Sequence, residues 1–431
     1  MDNTRKRTMS GKIRWLLAAI CWLGVGLETH AQLPSLRPTS TFSIMKPKTE
    51  PAMETIIADD GGCENGDCDP VIECPDCDLH PSCLGLWANF EYLHWWTKSV
   101  DSPPLVTTST PGTPRDDAGV LGVSSTSTLF GGDDAESGSG GRLTIGLWLA
   151  PDQSAGIFAR GFTFEPEDVS FQSQSFGRPI LARPFFNVLT DQQDALLMGF
   201  PNQIEGDIDA TFKSRTSGIQ ALVRRLYRQE CNYRIDLVYG YRYVNVEDSL
   251  RVNDSLEFTD RSSSAFGNTI QQFDLFDMEN EFHGGELGIM GHSVDGRFTM
   301  DFLLTVALGS IRERAAISGQ TVTTPLNGNP FTANGGLLTQ ESNIGVHEND
   351  QFAVIPEATV SLGYFITPRL DVSIGYTFLY MSHVMRAADA IDLDVNLNQQ
   401  TGGGGPGVPN FTFDDSDYWV QGINVGLNWR Y

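Results

Sequence analysis

The chain has 431 residues, with 54 acidic against 29 basic side chains, a formal net charge of −25, 40% hydrophobic residues and 19% charged ones. A balance that acidic excludes a binder of nucleic-acid phosphates, which needs clustered Lys and Arg, and the hydrophobic content excludes a chain disordered throughout. The 44 glycines, 25 Phe and 11 Tyr suit many aromatic-rich strands joined by turns.

At the N-terminus, Arg5, Lys6, Arg7, Lys12 and Arg14 precede the apolar segment Trp15 to Leu27 and then Thr29-His30-Ala31. This is the order of a secretory signal peptide, so residues 1–31 are expected to be cut off after Ala31. The apolar segment falls short of the ~20 residues of a bilayer-spanning helix, and Cys21 lies inside it, where lipid attachment is not expected. Losing these five basic groups together with Asp2 and Glu28 moves the net charge from −25 to −28. No later apolar run is long enough for a transmembrane helix. Residues 32–83 read as a periplasmic leader, rich in Pro, Thr and Ser and then in cysteine: Cys63, Cys68, Cys74, Cys77 and Cys83. Cys74 and Cys77 have zinc-ligand spacing, but zinc sites bring a second such pair or a His pair. Export favours oxidation, so disulfides are expected, with no metal and no cofactor. The remaining mature cysteine is Cys231, and six can pair completely only if one leader cysteine bonds Cys231 or another molecule.

From Leu86 onward the period of the chain is two. In order, the alternating segments are Leu86 to Trp96, Arg142 to Ala150, Gly156 to Phe164, Ser217 to Tyr227, Tyr233 to Val246, Phe282 to His292, Phe298 to Gly309, Phe352 to Tyr364, Leu370 to Met381 and Trp419 to Tyr431. The clearest carries Tyr233, Ile235, Leu237, Tyr239, Tyr241 and Tyr243 on one face and Arg234, Asp236, Gly240 and Arg242 on the other, the pattern of a strand with one apolar side. Gly156 to Phe164 fits least well, because Arg160 shares a face with Phe158 and Phe162.

The links between these segments run long, short, long, short without a break. The short ones are Pro151 to Ala155, Arg228 to Asn232, Ser293 to Gly296 and Ile366 to Arg369, and the long ones are 97–141, 165–216, 247–281, 310–351 and 382–417. A soluble sandwich has no reason to alternate in this way, whereas outer-membrane barrels have short periplasmic turns and long extracellular loops. Hydrocarbon offers no water to backbone N–H and C=O groups, so the sheet must close on itself. The expectation is an all-β, antiparallel up-and-down transmembrane barrel over residues 84–431. It has about ten strands, with eight or twelve as the neighbouring even counts, and both termini in the periplasm. Trp95, Trp96, Tyr380, Trp419, Trp429 and Tyr431 are expected in the interfacial girdles.

These residues resemble a known family, the planctomycete-type putative beta-barrel porins, the seventh family of that name. The likeness runs from about Leu86 to Tyr431. It rests on Phe90-Glu91-Tyr92-Leu93-His94-Trp95-Trp96, Gly141-Arg142-Leu143-Thr144, Arg183-Pro184-Phe185-Phe186-Asn187, Gly284-Gly285-Glu286-Leu287-Gly288 and Ser342-Asn343-Ile344-Gly345. It continues through Leu362-Gly363-Tyr364, Gly375-Tyr376-Thr377-Phe378-Leu379-Tyr380 and Trp419-Val420-Gln421-Gly422-Ile423-Asn424. At Met381 the family pattern has Trp. The resemblance implies a porin-like outer-membrane barrel and no particular solute.

The alternation points Glu91, Arg224, Arg234, Asp236, Arg242, Glu286, Asp301, Glu357 and Asp371 into the lumen. They either line a path for small hydrophilic solutes or pair into a network that plugs a narrow barrel. Two functions follow: a porin-like channel, or a structural and surface-interaction barrel whose lumen is closed and whose long loops act. Expected partners are outer-membrane lipid, the barrel-insertion machinery through the C-terminal strand, and in the first case small solutes, but not nucleic acid. An enzyme is not expected. Ser382 and His383, as neighbours on a strand, point to opposite faces. His283 and His292 read as isolated histidines near strand ends, where polar boundary residues are common, and the glycine run from Gly402 to Gly407 lacks the Lys and following helix of a phosphate loop.

Overall fold

The structure is a computed structural model that describes residues 85–134, 137–230 and 232–430. The expected signal peptide and the expected leader with its five cysteines, and Cys231, lie outside the described residues. Ten antiparallel strands form a closed ring: β1 (Leu86–Thr97), β2 (Ser137–Trp148), β3 (Ala155–Pro166), β4 (Ile204–Gln229), β5 (Tyr233–Phe258), β6 (Thr269–Asp295), β7 (Phe298–Thr324), β8 (Gly345–Thr367), β9 (Leu370–Val384) and β10 (Ser416–Arg430). Each pairs with its neighbours in sequence, and β10 closes on β1 with Glu91 opposite Gly426 and Tyr92 opposite Val425. Closure leaves no unpaired edge in the ring, the condition hydrocarbon imposes. Among the described residues no helix is long and apolar enough to cross a membrane.

All ten sequence segments overlap these strands, with Leu149 and Ala150 just past the end of β2 and Tyr431 outside the described residues, but β4 to β8 run on to between 23 and 27 residues. The reason is a change of surroundings along one strand. On β5 the outward residues Leu237, Tyr239 and Tyr241 are apolar and exposed, while further along the outward positions are Asn245, Glu247, Ser249, Arg251 and Asn253. The inner face changes in the opposite sense, from Arg234, Asp236 and Arg242 to Val244, Val246, Leu250, Val252 and Leu256. Near the turns, hydrocarbon selects apolar residues outside. Beyond that band, water selects polar ones outside, and the apolar face turns inward to meet protein.

That protein is supplied by the loops. Segments Val100–Ser109, Thr126–Asp134, Leu181–Asn187, Gln192–Gly199 and Asp394–Val395 form a second, five-stranded sheet. Its buried Leu105, Val106, Leu181, Ala182, Phe185 and Met198 join one core with Ile208, Phe212, Leu250, Val252, Phe276 and Ile317 of the barrel wall. Loops 97–141, 165–216 and 382–417 therefore fold inward, a choice that loop length alone leaves open.

Candidate functional site

The site is the barrel interior, built in layers from the short-turn end to the loop end. In the first layer Asp236 pairs with both Arg224 and Arg234. The two guanidinium carbons lie 4.1 and 4.5 Å from the ring centroid of Trp148, a cation–π arrangement. Arg234 Nη2 also donates to the Gln153 carbonyl at 2.6 Å, which ties the layer to the turn after β2. Across the barrel His292 Nδ1 lies 2.6 Å from Asp301 Oδ1. Asp371 accepts from Asn428 Nδ2 at 2.7 Å and has Arg430 at 3.6 Å.

The second layer is ionic and has partners from every barrel strand except β7. Arg142 holds Glu91 bidentately, with Nε at 2.5 Å and Nη2 at 2.8 Å. Glu357 accepts from Arg160 Nη1 at 2.7 Å and Arg242 Nη2 at 2.6 Å, with Arg142 Nη1 at 3.8 Å. Glu286 accepts from Gln220 at 2.8 Å and from Arg242 Nη1 at 3.1 Å. Asn424 donates to Thr377 at 2.7 Å and accepts from the Trp95 indole at 2.8 Å. Three guanidinium groups thus face three carboxylates, and all six residues are buried. Charges taken out of water survive only when paired and hydrogen-bonded; each of the six has an ionic partner in this set, and Arg242 Nε and Glu286 Oε2 are buried without a hydrogen bond.

The third layer is apolar. Leu93, Trp95, Phe164, Val244, Phe282, Ile311, Ile355, Leu379, Met381 and Val420 fill the cross-section, each at most 1% exposed. Trp95, expected in a girdle, is one of these and faces inward, because position 95 shares the inner face of β1 with Glu91 and Leu93. Met381 also faces inward. Trp96 and Trp429 do face outward and are exposed.

Above it the loops are tied to the wall by buried ion pairs. Arg183 contacts Asp254 and Asp274, each at 2.7 Å. Asp274 in turn accepts from the backbone N–H groups of Leu338 and Thr339 at 3.0 and 2.8 Å. Arg386 Nε and the Ala387 N–H both reach Asp248 Oδ2 at 2.9 Å. Burial pushes the Asp254 carboxyl up to about 6, with Asp274 adding to the shift and Arg183 opposing it.

The nine residues singled out from sequence stand on the inner face of their strands, and the structure divides them between the first two layers. The sequence reading passed over Arg142, Arg160 and Arg430. Its nine residues hold three arginines against six carboxylates, and that imbalance is the signal that cations were missing, since unpaired charges are too costly to bury. Arg160 and its apolar neighbours Phe158 and Phe162 share the inner face, the arginine reaching Glu357 while Phe162 packs against Trp95. His283 faces outward beside Tyr241, away from Glu286 and His292. Ser382 Oγ accepts the Val354 N–H at 3.0 Å, while His383 contacts Asp415 at 2.6 Å.

Among solved structures, the chain is similar to the outer membrane protease OmpT from Escherichia coli, at 11% identity and a TM-score of 0.35, over 80% of this chain and 97% of that one. It is also similar to a Pseudomonas aeruginosa FadL homologue, at 6% identity and a TM-score of 0.23, over 81% and 90%. No residue role is carried over from either. No curated protein matches the chain. The family model for Putative beta barrel porin-7 matches residues 87–431. That match spans the whole ring of strands, and the chain belongs to the Putative beta barrel porin-7 family.

Proposed function

We propose that this outer-membrane barrel is sealed, and that its loop end is a rigid platform presented to the cell exterior. The observation that carries the reading is the stack inside the ring. A balanced ionic layer, an apolar layer and an inward-folded loop sheet succeed one another, and each is made of buried side chains. A barrel of this strand number has an interior that side chains can fill. Passage of small hydrophilic solutes, the porin-like alternative, would require the loop sheet to withdraw and the ionic set to separate, which exposes charges whose partners are one another. A non-enzymatic role is supported by the state of the best catalytic candidates. His383 has Asp415 as its partner and Ser382 is engaged with backbone, so neither forms a nucleophile–base pair. Export by a cleaved signal peptide and periplasmic termini complete the proposal.

Conductance in a planar bilayer tests it. The refolded protein is expected to insert without discrete conducting steps, while a variant lacking the inward loop residues 101–132 and 170–200 still faces the apolar and ionic layers and remains closed. Reproducible unitary steps from the intact protein would overturn the sealed reading in favour of a channel.

A further inference from the structure

A groove of about 500 Å³ opens on the outer wall where β1 to β5 run side by side. Its walls are Phe90, Leu143, Ile219 and Tyr243, and its floor includes Gly141 and Gly161. Neither glycine is there for a local reason. A Cβ at Gly141 would meet only Phe90 Cε2 at 4.0 Å, and one at Gly161 only the Gly218 carbonyl at 3.8 Å. Glycine weakens a strand, and within one it often marks a place where a ligand or another backbone comes close. Here the approach is from outside the barrel, at the loop-side edge of the apolar band.

The outward rows give the groove a direction. The register sets Leu143 beside Gly161, Gly161 beside Ile219 and Ile219 beside Tyr243, an apolar row. One row nearer the loops, Gly141, Thr163 and Ser217 lie side by side, and the groove is lined by both hydroxyl residues. One row further, Arg215 Nε donates to Glu165 at 2.6 Å, a pair about half exposed. Apolar, hydroxyl and ionic rows in that order match the profile of a membrane lipid from chain to ester to headgroup. Elsewhere around the ring this edge carries aromatic side chains such as Tyr92, Tyr380 and Trp419, as barrel interfaces do. Across β2 to β4 that belt is interrupted by the groove.

We propose that the groove is a lipid-binding site. It holds one acyl chain of an ester-linked lipid of the loop-side leaflet, with the ester carbonyl accepting from Thr163 and Ser217. A second copy of the barrel fits less well. A two-fold contact centred on the groove brings the same hollow from both partners face to face and leaves a void where close packing is needed. The site is independent of whether the lumen is sealed.

Native mass spectrometry of the refolded protein in dodecyl maltoside, titrated with dioleoylphosphatidylethanolamine, tests the assignment. The intact protein is expected to bind one lipid in preference to further ones. Gly161→Phe fills the groove and should weaken that step by about tenfold, the equivalent of roughly two buried methylenes, while Ile374→Phe, on a distant part of the outer wall, should not. The diether analogue should bind more weakly to the intact protein and equally to a Thr163→Val/Ser217→Ala variant, because the ester contact is then already lost. Heat-modifiable migration verifies folding of each variant, and Ile219→Trp fills the same groove should Gly161→Phe not refold. Unchanged lipid binding in both groove-filling variants, or a stable dimer cross-linked through Thr163→Cys, would overturn the proposal.

Discussion

Arg242 Nη2 donates to Glu357 Oε2 at 2.6 Å, joining β5 to β8 across the barrel interior although 115 residues separate them in the chain. Both side chains are out of solvent, at 0% and 3% exposure, so the contact has the cost and the strength of a buried pair rather than the small value of a surface one. Glu357 also receives Arg160, which makes it the carboxylate on which the ionic layer turns. Glu357→Gln should therefore lower unfolding stability by about 3–5 kcal/mol, because two guanidinium groups lose their counter-charge without gaining water. The urea midpoint of the barrel in detergent micelles measures this, and a shift within error of the intact protein would contradict the role given to the layer.

The two faces of β9 give a paired test. Val372 faces outward and Asp371 inward, one residue apart. Leu304→Arg on β7 places a charge in hydrocarbon at ~2–4 kcal/mol near mid-bilayer, and Val372→Arg, two residues from the short turn, does so at a smaller cost; both should impair folding into vesicles, Leu304→Arg the more. Asp371→Asn keeps an acceptor for Asn428 and should fold normally. Equal behaviour of the two classes in a vesicle-folding assay would contradict the facing assigned to these residues.

The loop clamp predicts a pH dependence. Burial raises the folded carboxyl of Asp254 to about 6, above the unfolded value of about 3.9. Between these values the folded state binds more protons than the unfolded one, so its stability contribution is fully present below about pH 4 and is lost as pH rises through about 6. Burial also raises the carboxyl of Asp389 in the 382–417 loop, which acts in the same direction. Protease protection of segment 181–199 should be higher at pH 4.5 than at pH 7.5, by an amount on the order of 2–3 kcal/mol in opening free energy. Asp254→Asn, which cannot ionise, should flatten that difference. An unchanged pH slope in the variant would remove Asp254 as its source.

Orientation is tested on intact cells. Epitope tags inserted beside Gly112 or among Gly402 to Gly405, both exposed at the loop end, should be reached by antibody from outside. Tags in the short turns at 228–230 or 293–296 should be reached only after the outer membrane is opened. The reverse pattern would invert the barrel.

The strands of the hydrocarbon band were legible because alternation such as Tyr239, Gly240, Tyr241, Arg242 marks a sheet with one apolar face, and the regular succession of long and short links assigns that face to lipid rather than to a sandwich core. The same reading stopped β5 at Val246 although it extends to Phe258. There the apolar side crosses from outward to inward, so a search for one constant apolar face ends where the bilayer does. Trp95 went wrong for a different reason: beside Trp96 its type suited the interface, whereas its alternation with Glu91 and Leu93 places it inside, where its indole donates to Asn424 at 2.8 Å.

Fold class, a count of about ten strands and the facing of nine inward charges were legible in the sequence itself, because a period of two and the spacing of turns are local properties that the bilayer constrains directly. What fills the interior was decided by tertiary structure. The partners of Glu357 come from three different strands and those of Arg183 from two, and no spacing along the chain encodes distances across a closed ring. The inward fold of the loops was likewise settled only when the apolar upper wall met Leu105, Leu181 and Met198, since burial of that wall is a property of both surfaces together.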